Sequence, residues 1–394
     1  MYSELIVMRL LIFILLSPVI LQAAETPDTL FLRSSDLQRK KQLIHEDALY
    51  KAAYEDLLQR ADETLGKPLY TVMSKTLTPD SGDKHDYMSF GPYWWPDPKK
   101  EDGLPFINRD GKVNPASRDS RSDRPKLSAL TDELKILSMA YYLSEDNKYA
   151  ERGAALINTW FLDKKTRMNP NLNYGQAIPG RTKGRGIGII ETRKLDKIVD
   201  ALILFSGSKE FTDDNIRGTK KWLNDYLTWL LTSKNGQDEA KTKNNHGTWY
   251  DFQVAALALY CDRKDDALTV FKRVDSLRIP KQIKEDGSQP HELARTRSFD
   301  YSKMNIQGFL QLARLAEHLD FDLWNSNEKR LLKAVLFLEP YSNEEMKWPH
   351  KQIKTIRVKS LFKVLKLAAP YKDKKIDQSA MGLTSKAGLE ILFY

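Results

Sequence analysis

Ser35–Leu65 reads SDLQRKKQLIHEDALYKAAYEDLLQRADETL, with Leu43, Ala48, Ala52, Tyr54, Leu57 and Leu58 roughly on one helical face. Apolar residues at helical rather than alternating spacing predict an amphipathic helix, here one long segment capped by Ser35 or Asp36. The same period recurs through Leu127–Leu143, Tyr149–Phe161, Arg193–Phe205 and Asp213–Leu231. It continues in Thr248–Cys261, Asp265–Arg273, Met304–Leu319, Asn327–Leu338 and Thr355–Leu367. Alternating strand patterns bounded by hairpin turns are hard to find. Successive helices joined by polar loops predict an all-α fold, an α/α barrel (toroid) of antiparallel helix pairs. No strict sequence repeat accompanies them.

Three connections are longer than such pairs require: Thr78–Ser122, rich in Pro, Gly and aromatics; Met168–Gly188, with Asn, Tyr, Gln, Gly and Arg; and Gln282–Lys303, with Gly, His, Arg and Tyr. Long loops on a helical scaffold are where binding and catalysis concentrate. No linker divides the chain after the first residues, so residues 25–394 are expected to form one domain. With 394 residues and 41% apolar content the chain can bury a large core.

The N-terminus has the order of a secretory signal peptide, residues 1–24: Arg9, the apolar run Leu10–Leu16, then Ala23 and Ala24. The apolar run is short for a span of about 20 residues and Pro18 interrupts it, so no stable membrane span is expected after its removal. The expected location is secreted or periplasmic, in a bacterium. Cys261 is the only cysteine, so no intramolecular disulfide forms; it reads as a buried small hydrophobe. Lys and Arg number 62 against 53 Asp and Glu, a formal charge of +9, which favours a polyanionic partner. No nucleic-acid module is present, and export argues against that partner. His45, His85, His318 and His350 are scattered without ligand spacing, so neither metal nor other cofactor is expected. Gly184-Arg185-Gly186-Ile187-Gly188 lacks the strand and full pattern of a phosphate loop. The basic run Lys351–Lys375 reads as a solvated helix face.

Chemistry concentrates in two places. Asn244-Asn245-His246-Gly247-Thr248-Trp249-Tyr250-Asp251 stands at a helix entrance, where N–H groups and side-chain amides face an anion. Gln289-Pro290-His291-Glu292-Leu293-Ala294-Arg295-Thr296-Arg297-Ser298-Phe299-Asp300-Tyr301 follows. Amide, histidine, arginine and tyrosine are the groups that a uronate β-elimination needs. The C5 proton is weakly acidic until the carboxylate is neutralised. A base then removes it, and an acid protonates the departing O4. In D-glucuronate and D-mannuronate, H5 and O4 share one side of the ring, so a single tyrosine can do both. In L-guluronate they lie on opposite faces and a second group such as histidine is required. Tyrosine titrates at about 10, so the phenolate has to be favoured by its surroundings, and Arg295 and Arg297 are near in sequence.

Asn-Asn-His, Glu-Leu-Ala-Arg and the tyrosine six residues after that arginine resemble the alginate lyase superfamily with α/α-barrel folds, polysaccharide lyase families 5 and 38. Phe90–Pro98 and Asn169–Ile178 resemble its substrate-groove segments, so the likeness spans roughly Tyr87 to Leu319. Family 5 spaces its arginine and tyrosine one residue further apart. Asn-Asn-His-Gly-Thr-Trp-Tyr-Asp is nearer to family 38, whose members resemble glucuronan and polymannuronate lyases. The resemblance implies a polysaccharide lyase acting on an acidic uronate polysaccharide, with β-1,4-linked glucuronate or mannuronate favoured. It implies that Asn245 and His246 neutralise the carboxylate, that Arg295 binds it, and that Tyr301 is the acid/base. Substrate contacts are expected from Tyr93, Trp94, Asn173, Tyr174, Gln176, His291 and Arg297, with Trp94 or Tyr93 either a stacking platform or core. Glu239 is either a protonated carboxyl facing the substrate or a solvated loop residue. Two other classes stay open. A glycoside hydrolase would need two opposed carboxylic acids from Asp97, Asp251 and Asp300, and a non-catalytic glycan-binding protein of an uptake system would need none.

Overall fold

The computed structural model describes residues 27–343 and 346–394; the signal segment expected at 1–24 lies outside them. Ser35–Leu65 is two helices rather than one, α1 (Ser34–Glu46) and α2 (Ala48–Leu65). Asp47 adopts extended backbone (φ −117°, ψ 125°), and its carboxylate accepts the N–H groups of Leu49 and Tyr50 at 2.8 and 3.2 Å. An aspartate cap satisfies donors that a new helix leaves orphaned. The break also resets the phase of the apolar face. Ala53, Leu57, Ala61 and Thr64 are buried in α2, whereas Ala48 and Ala52 are exposed.

The remaining helices are α3 (Arg124–Ser144), α4 (Asn147–Ile157), α5 (Asp196–Phe205), α6 (Asp213–Thr232), α7 (Lys234–Ala240), α8 (Asn245–Tyr260) and α9 (Lys264–Arg273). They continue as α10 (Ile279–Gln282), α11 (Pro290–Leu293), α12 (Ser298–Ala316), α13 (Ser326–Leu338), α14 (Phe362–Leu367) and α15 (Lys374–Ala387). Contacts run around a ring from α2 through α3, α5, α8, α12 and α14 to α15, and the C-terminal turn Gly388–Leu392 closes it on α2. Outer helices pack on this ring, α4 on α3, α6 and α9 on α8, and α13 on α12. The architecture is the expected α/α toroid. In α8 every residue from Gly247 to Ala258 is buried, as an inner helix must be. In α6 only Thr219, Trp222, Leu223, Tyr226, Leu227 and Leu230 are buried, a single stripe at spacings of three and four.

The long loops contain short strands that the sequence does not announce: β1 (Met88–Phe90), β2 (Trp94–Trp95), β3 (Ile107–Asn108) and β4 (Tyr174–Ala177). β1 pairs in parallel with β4, tying the first loop to the second, and β2 pairs antiparallel with β3. Runs of two to four residues are too short to display alternation. The basic run Lys351–Lys375 is only partly helical. Its first residues form a strap over the start of α12, where Ser298 donates to the Lys351 carbonyl (3.1 Å) and Ile353 donates to that of Thr296 (3.0 Å). Cys261 is half-buried, and burial pushes its thiol up to about 11, so it is not a reactive thiolate. Among the described residues no helix is long and apolar enough to cross a membrane, and no group of three or more His, Cys, Asp or Glu could hold a metal ion.

Candidate active site

The entrance of α8 is built on buried charge. Arg278 donates to the carbonyls of Ala240 (2.6 Å) and Thr242 (2.5 Å) and to Asp251 (2.8 Å), which also pairs with Arg273. This clamps the turn that delivers Asn244. Gly247 is required there, since a Cβ would lie 2.4 Å from the Thr242 carbonyl oxygen and 2.5 Å from Arg278 Nη1. Asn244 caps the helix, its side-chain oxygen accepting the His246 N–H at 3.2 Å. Its amide nitrogen is left for the cleft. Asn245 is fully buried and points the other way: its backbone N–H and Nδ2 each donate to Glu292 at 2.7 Å. Burial pushes the Glu292 carboxyl up, while the two bonds from Asn245 oppose that push.

Glu239 lies on α7, 1% exposed, with Oε1 2.7 Å from His246 Nδ1. It is neither solvated nor turned toward a substrate, because α7 folds it beneath the histidine. A carboxylate only accepts, so Nδ1 carries the hydrogen and Nε2 is left to the cleft.

The entrance of α12 carries the second group. Arg295 grips Asp110 through Nη2 (2.6 Å) and Nε (3.3 Å), and Thr296 Oγ1 donates to the same carboxylate at 2.9 Å. Burial raises the Asp110 pKa, but Arg295 and Thr296 outweigh it and hold the group below the usual carboxylate range. Arg295 Nη2 also donates to the Tyr301 hydroxyl at 3.2 Å, with the guanidinium 4.2 Å from the ring centroid. The Tyr93 hydroxyl lies 2.6 Å from that of Tyr301. Burial, then the neighbouring Tyr93, raises the Tyr301 pKa, and Arg295 works against them. Arg297 pairs with Asp300 (2.7 Å), which also accepts from Gln352 of the strap (3.1 Å).

Both entrances open into one cleft of about 600 Å³. Of the residues expected from sequence, Tyr93, Trp94, Gln176, His246, Arg295, Arg297 and Tyr301 line it. Tyr93 serves as a hydrogen-bond partner of Tyr301, and the Trp94 ring is flanked by Arg181 and Arg185 at 5.2 and 5.8 Å. Gln176 is held at φ +50° with its side-chain oxygen on Arg185 (2.9 Å). Five expected residues are not on the wall. Asn245 and Glu239 lie beneath it. Asn173 is exposed and accepts from Trp229 (3.0 Å), Tyr174 is taken up in β4, and His291 is exposed on α11. Sequence reading passed over Asn244, Asp110, Arg118, Arg124, Arg185 and Arg193, which do line it. Asn244 was visible as the first residue of the motif; Arg124 opens α3 and Arg118, Arg185 and Arg193 lie in turns and loops, where nothing local marks an arginine as facing a cleft.

The cleft can neutralise and bind an anion and can exchange a proton at Tyr301 or His246. It does not present two opposed carboxylic acids. Asp251 is sealed between Arg273 and Arg278, Asp300 is paired, Asp97 caps its own loop at Lys99 N (3.0 Å), and Asp110 is held by Arg295.

A family model described as alginate lyase matches residues 71–348. Among solved structures, an alginate lyase from Bacteroides ovatus is 37% identical with a TM-score of 0.88, covering 93% of this chain and 99% of that one. Alginate lyase A1-III from Sphingomonas species A1 has 16% identity and a TM-score of 0.58, covering 94% and 97%. A histidine-to-alanine variant of A1-III complexed with a tetrasaccharide has 13% identity and a TM-score of 0.58, covering 93% and 95%. The two A1-III structures share the fold. No curated protein matches the chain at a significant level.

Proposed function

Since the chain belongs to the alginate lyase family and is a polysaccharide lyase, we propose that it cleaves β-1,4-linked D-glucuronate or D-mannuronate polymers by β-elimination. Arg295, the Asn244 amide and His246, as an imidazolium donating through Nε2, receive the carboxylate of the sugar whose C5 proton is removed. Asn245, to which the resemblance gives that part, instead holds the turn through Glu292. Tyr301 takes the C5 proton, and the electron pair becomes the C4–C5 double bond as C4–O4 breaks. Tyr301 then returns the proton to O4. The observation that carries this reading is the Tyr301 oxygen, 3.2 Å from Arg295 Nη2, a cationic donor that works against burial and Tyr93 to favour the phenolate. The leader-like residues 1–24 support action outside the cytoplasm.

Two observations favour a second reading, in which His246 takes the proton and Tyr301 gives one. Burial keeps Tyr301 protonated at rest, and with Nδ1 donating to Glu239 a neutral His246 offers Nε2 as an acceptor. That arrangement suits L-guluronate, whose H5 and O4 lie on opposite faces.

Ultraviolet absorbance of the unsaturated uronate, followed on glucuronan, polymannuronate, polyguluronate and pectate, decides between them. The first reading expects activity on glucuronan or polymannuronate, lost by about 10²–10⁴-fold in Tyr301→Phe. With Tyr301 as the base, kcat/KM climbs with pH toward a phenol pKa raised above about 10. With His246 as the base and Tyr301 as the acid, kcat/KM does not climb toward the raised phenol pKa, because Tyr301 has to stay protonated, and polyguluronate is preferred. No unsaturated product from any of the four polymers sinks both.

A further inference from the structure

A second charged cavity, of about 370 Å³, shares no lining residue with the catalytic cleft. It opens at the other end of α12: from Tyr301 to Arg314, which lines it, that helix climbs about 20 Å. Cavities of about 300–1,000 Å³ enclose small ligands. The charged side chains on its wall are Arg33, Arg39, Lys40, Arg314 and Lys366 against Asp36, so cations prevail. Four of them have a local reason to be there. Arg33 and Arg314 each pair with Glu317 at 2.7 Å. Arg314 and Lys366 lie in the last turns of α12 and α14, where helix carbonyls favour cations, and Arg39 is exposed. Lys40 has no such reason. It stands within α1, 5% exposed, and its ammonium makes no hydrogen bond or ion pair among the described residues. Lys75, also buried, shows what a buried cation ordinarily has: Asp123 at 3.0 Å and the carbonyls of Val72 and Lys84 at 2.8 and 2.6 Å. Burial pushes the Lys40 ammonium down to about 8; Asp36, one turn before it, opposes that push, and Lys366 and Lys135 add to it.

We propose that this cavity between α1, α12 and α14 is a second binding site, which takes a small organic anion with its carboxylate or phosphate on Lys40. The Phe31, Trp324 and Phe393 side chains on the same wall offer apolar surface to the body of such a molecule. An anion there supplies the counter-charge that the fold withholds from Lys40 and relieves the mutual repulsion of Lys40 and Lys366. Sugar acids and phosphate esters share this chemistry. The site does not rest on the elimination proposed above, and it is read by binding rather than by turnover.

The test is calorimetric titration of glucuronate and of phenyl phosphate into the full chain carrying Arg295→Ala, which weakens capture in the catalytic cleft. At least one probe should bind with a Kd below about 1 mM, and the tighter of the two identifies the source. Adding Lys40→Met, which keeps the length of the side chain without its charge, should weaken that probe about tenfold or more, as the loss of one charge-assisted contact does. At pH 8 binding should also draw in up to about half a proton, seen as a dependence of the heat on the buffer, and Lys40→Met should abolish it. Should Lys40→Met not fold, Lys366→Ala serves instead: with one positive neighbour fewer, Lys40 holds its proton better and the uptake falls. Binding of neither probe at about 1 mM overturns the site. So does affinity that survives Lys40→Met, or proton uptake unchanged in Lys366→Ala.

Discussion

At the entrance of α8 the carboxylates that hold the site are sealed from water: Glu239 and Glu292 are each 1% exposed and Asp251 is fully buried. At the entrance of α12 they are wet, the Asp110 and Asp300 side chains keeping 31% and 24% of their surface. The partners differ in the same way. Glu239, Glu292 and Arg278 sit on α7, α11 and at the start of α10, within the packed ring, whereas Asp110 and Gln352 come from a loop and a strap. Buried ion pairs that lose one member leave an uncompensated charge; exposed pairs lose little. The α8 end is therefore part of the fold itself, and the α12 end is a positioned but separable device that brings Arg295 and Tyr301 to the substrate.

Asp251→Ala is the most severe way to break this contrast. Stranding Arg273 and Arg278 should cost about 3–5 kcal/mol of stability in denaturant unfolding. Asp110→Asn should act next, and on a different quantity. Freeing the Arg295 fork should lower kcat/KM by roughly 10–150-fold, equivalent to about 1.5–3 kcal/mol, while stability changes by less than about 1 kcal/mol. If Asp110→Asn unfolds the protein as readily as Asp251→Ala, the two ends are held alike and the distinction is lost. The same pair has a pH signature. The folded pKa of Asp110 is depressed, so its pairing with Arg295 is complete above the usual carboxylate range and fails as pH falls through the lower folded value. Wild-type kcat/KM should lose that contribution in acid below about pH 4, and Asp110→Asn, already without it, should show no such limb. Tyr93→Phe should have the smallest effect. Removing one hydrogen bond to Tyr301 is worth about 0.5–1.5 kcal/mol, a drop of about 2–12-fold in kcat, and a larger drop would assign Tyr93 a share in the proton transfer.

Sequence alone determined the all-α class and located both chemical segments. Helical periodicity is a local property, and His246, Arg295 and Tyr301 belong to residue types whose chemistry can be read without knowing their neighbours. The break at Asp47 escaped because a one-residue interruption is too short to show as a gap in a helical run, although it shifts which residues face the core. The strands escaped because pairs this short owe their existence to the loop opposite. Which of Asn244 and Asn245 faces the cleft was decided only by tertiary structure. Asn244 is the extended cap residue and Asn245 the first residue of the helix, so the two side chains diverge, and Glu292, 47 residues further on, claims the second amide. In the same way α7 put Glu239 beneath His246, and the first loop brought Tyr93 to Tyr301. Each depends on contacts between segments distant in the chain, which local sequence spacing does not encode.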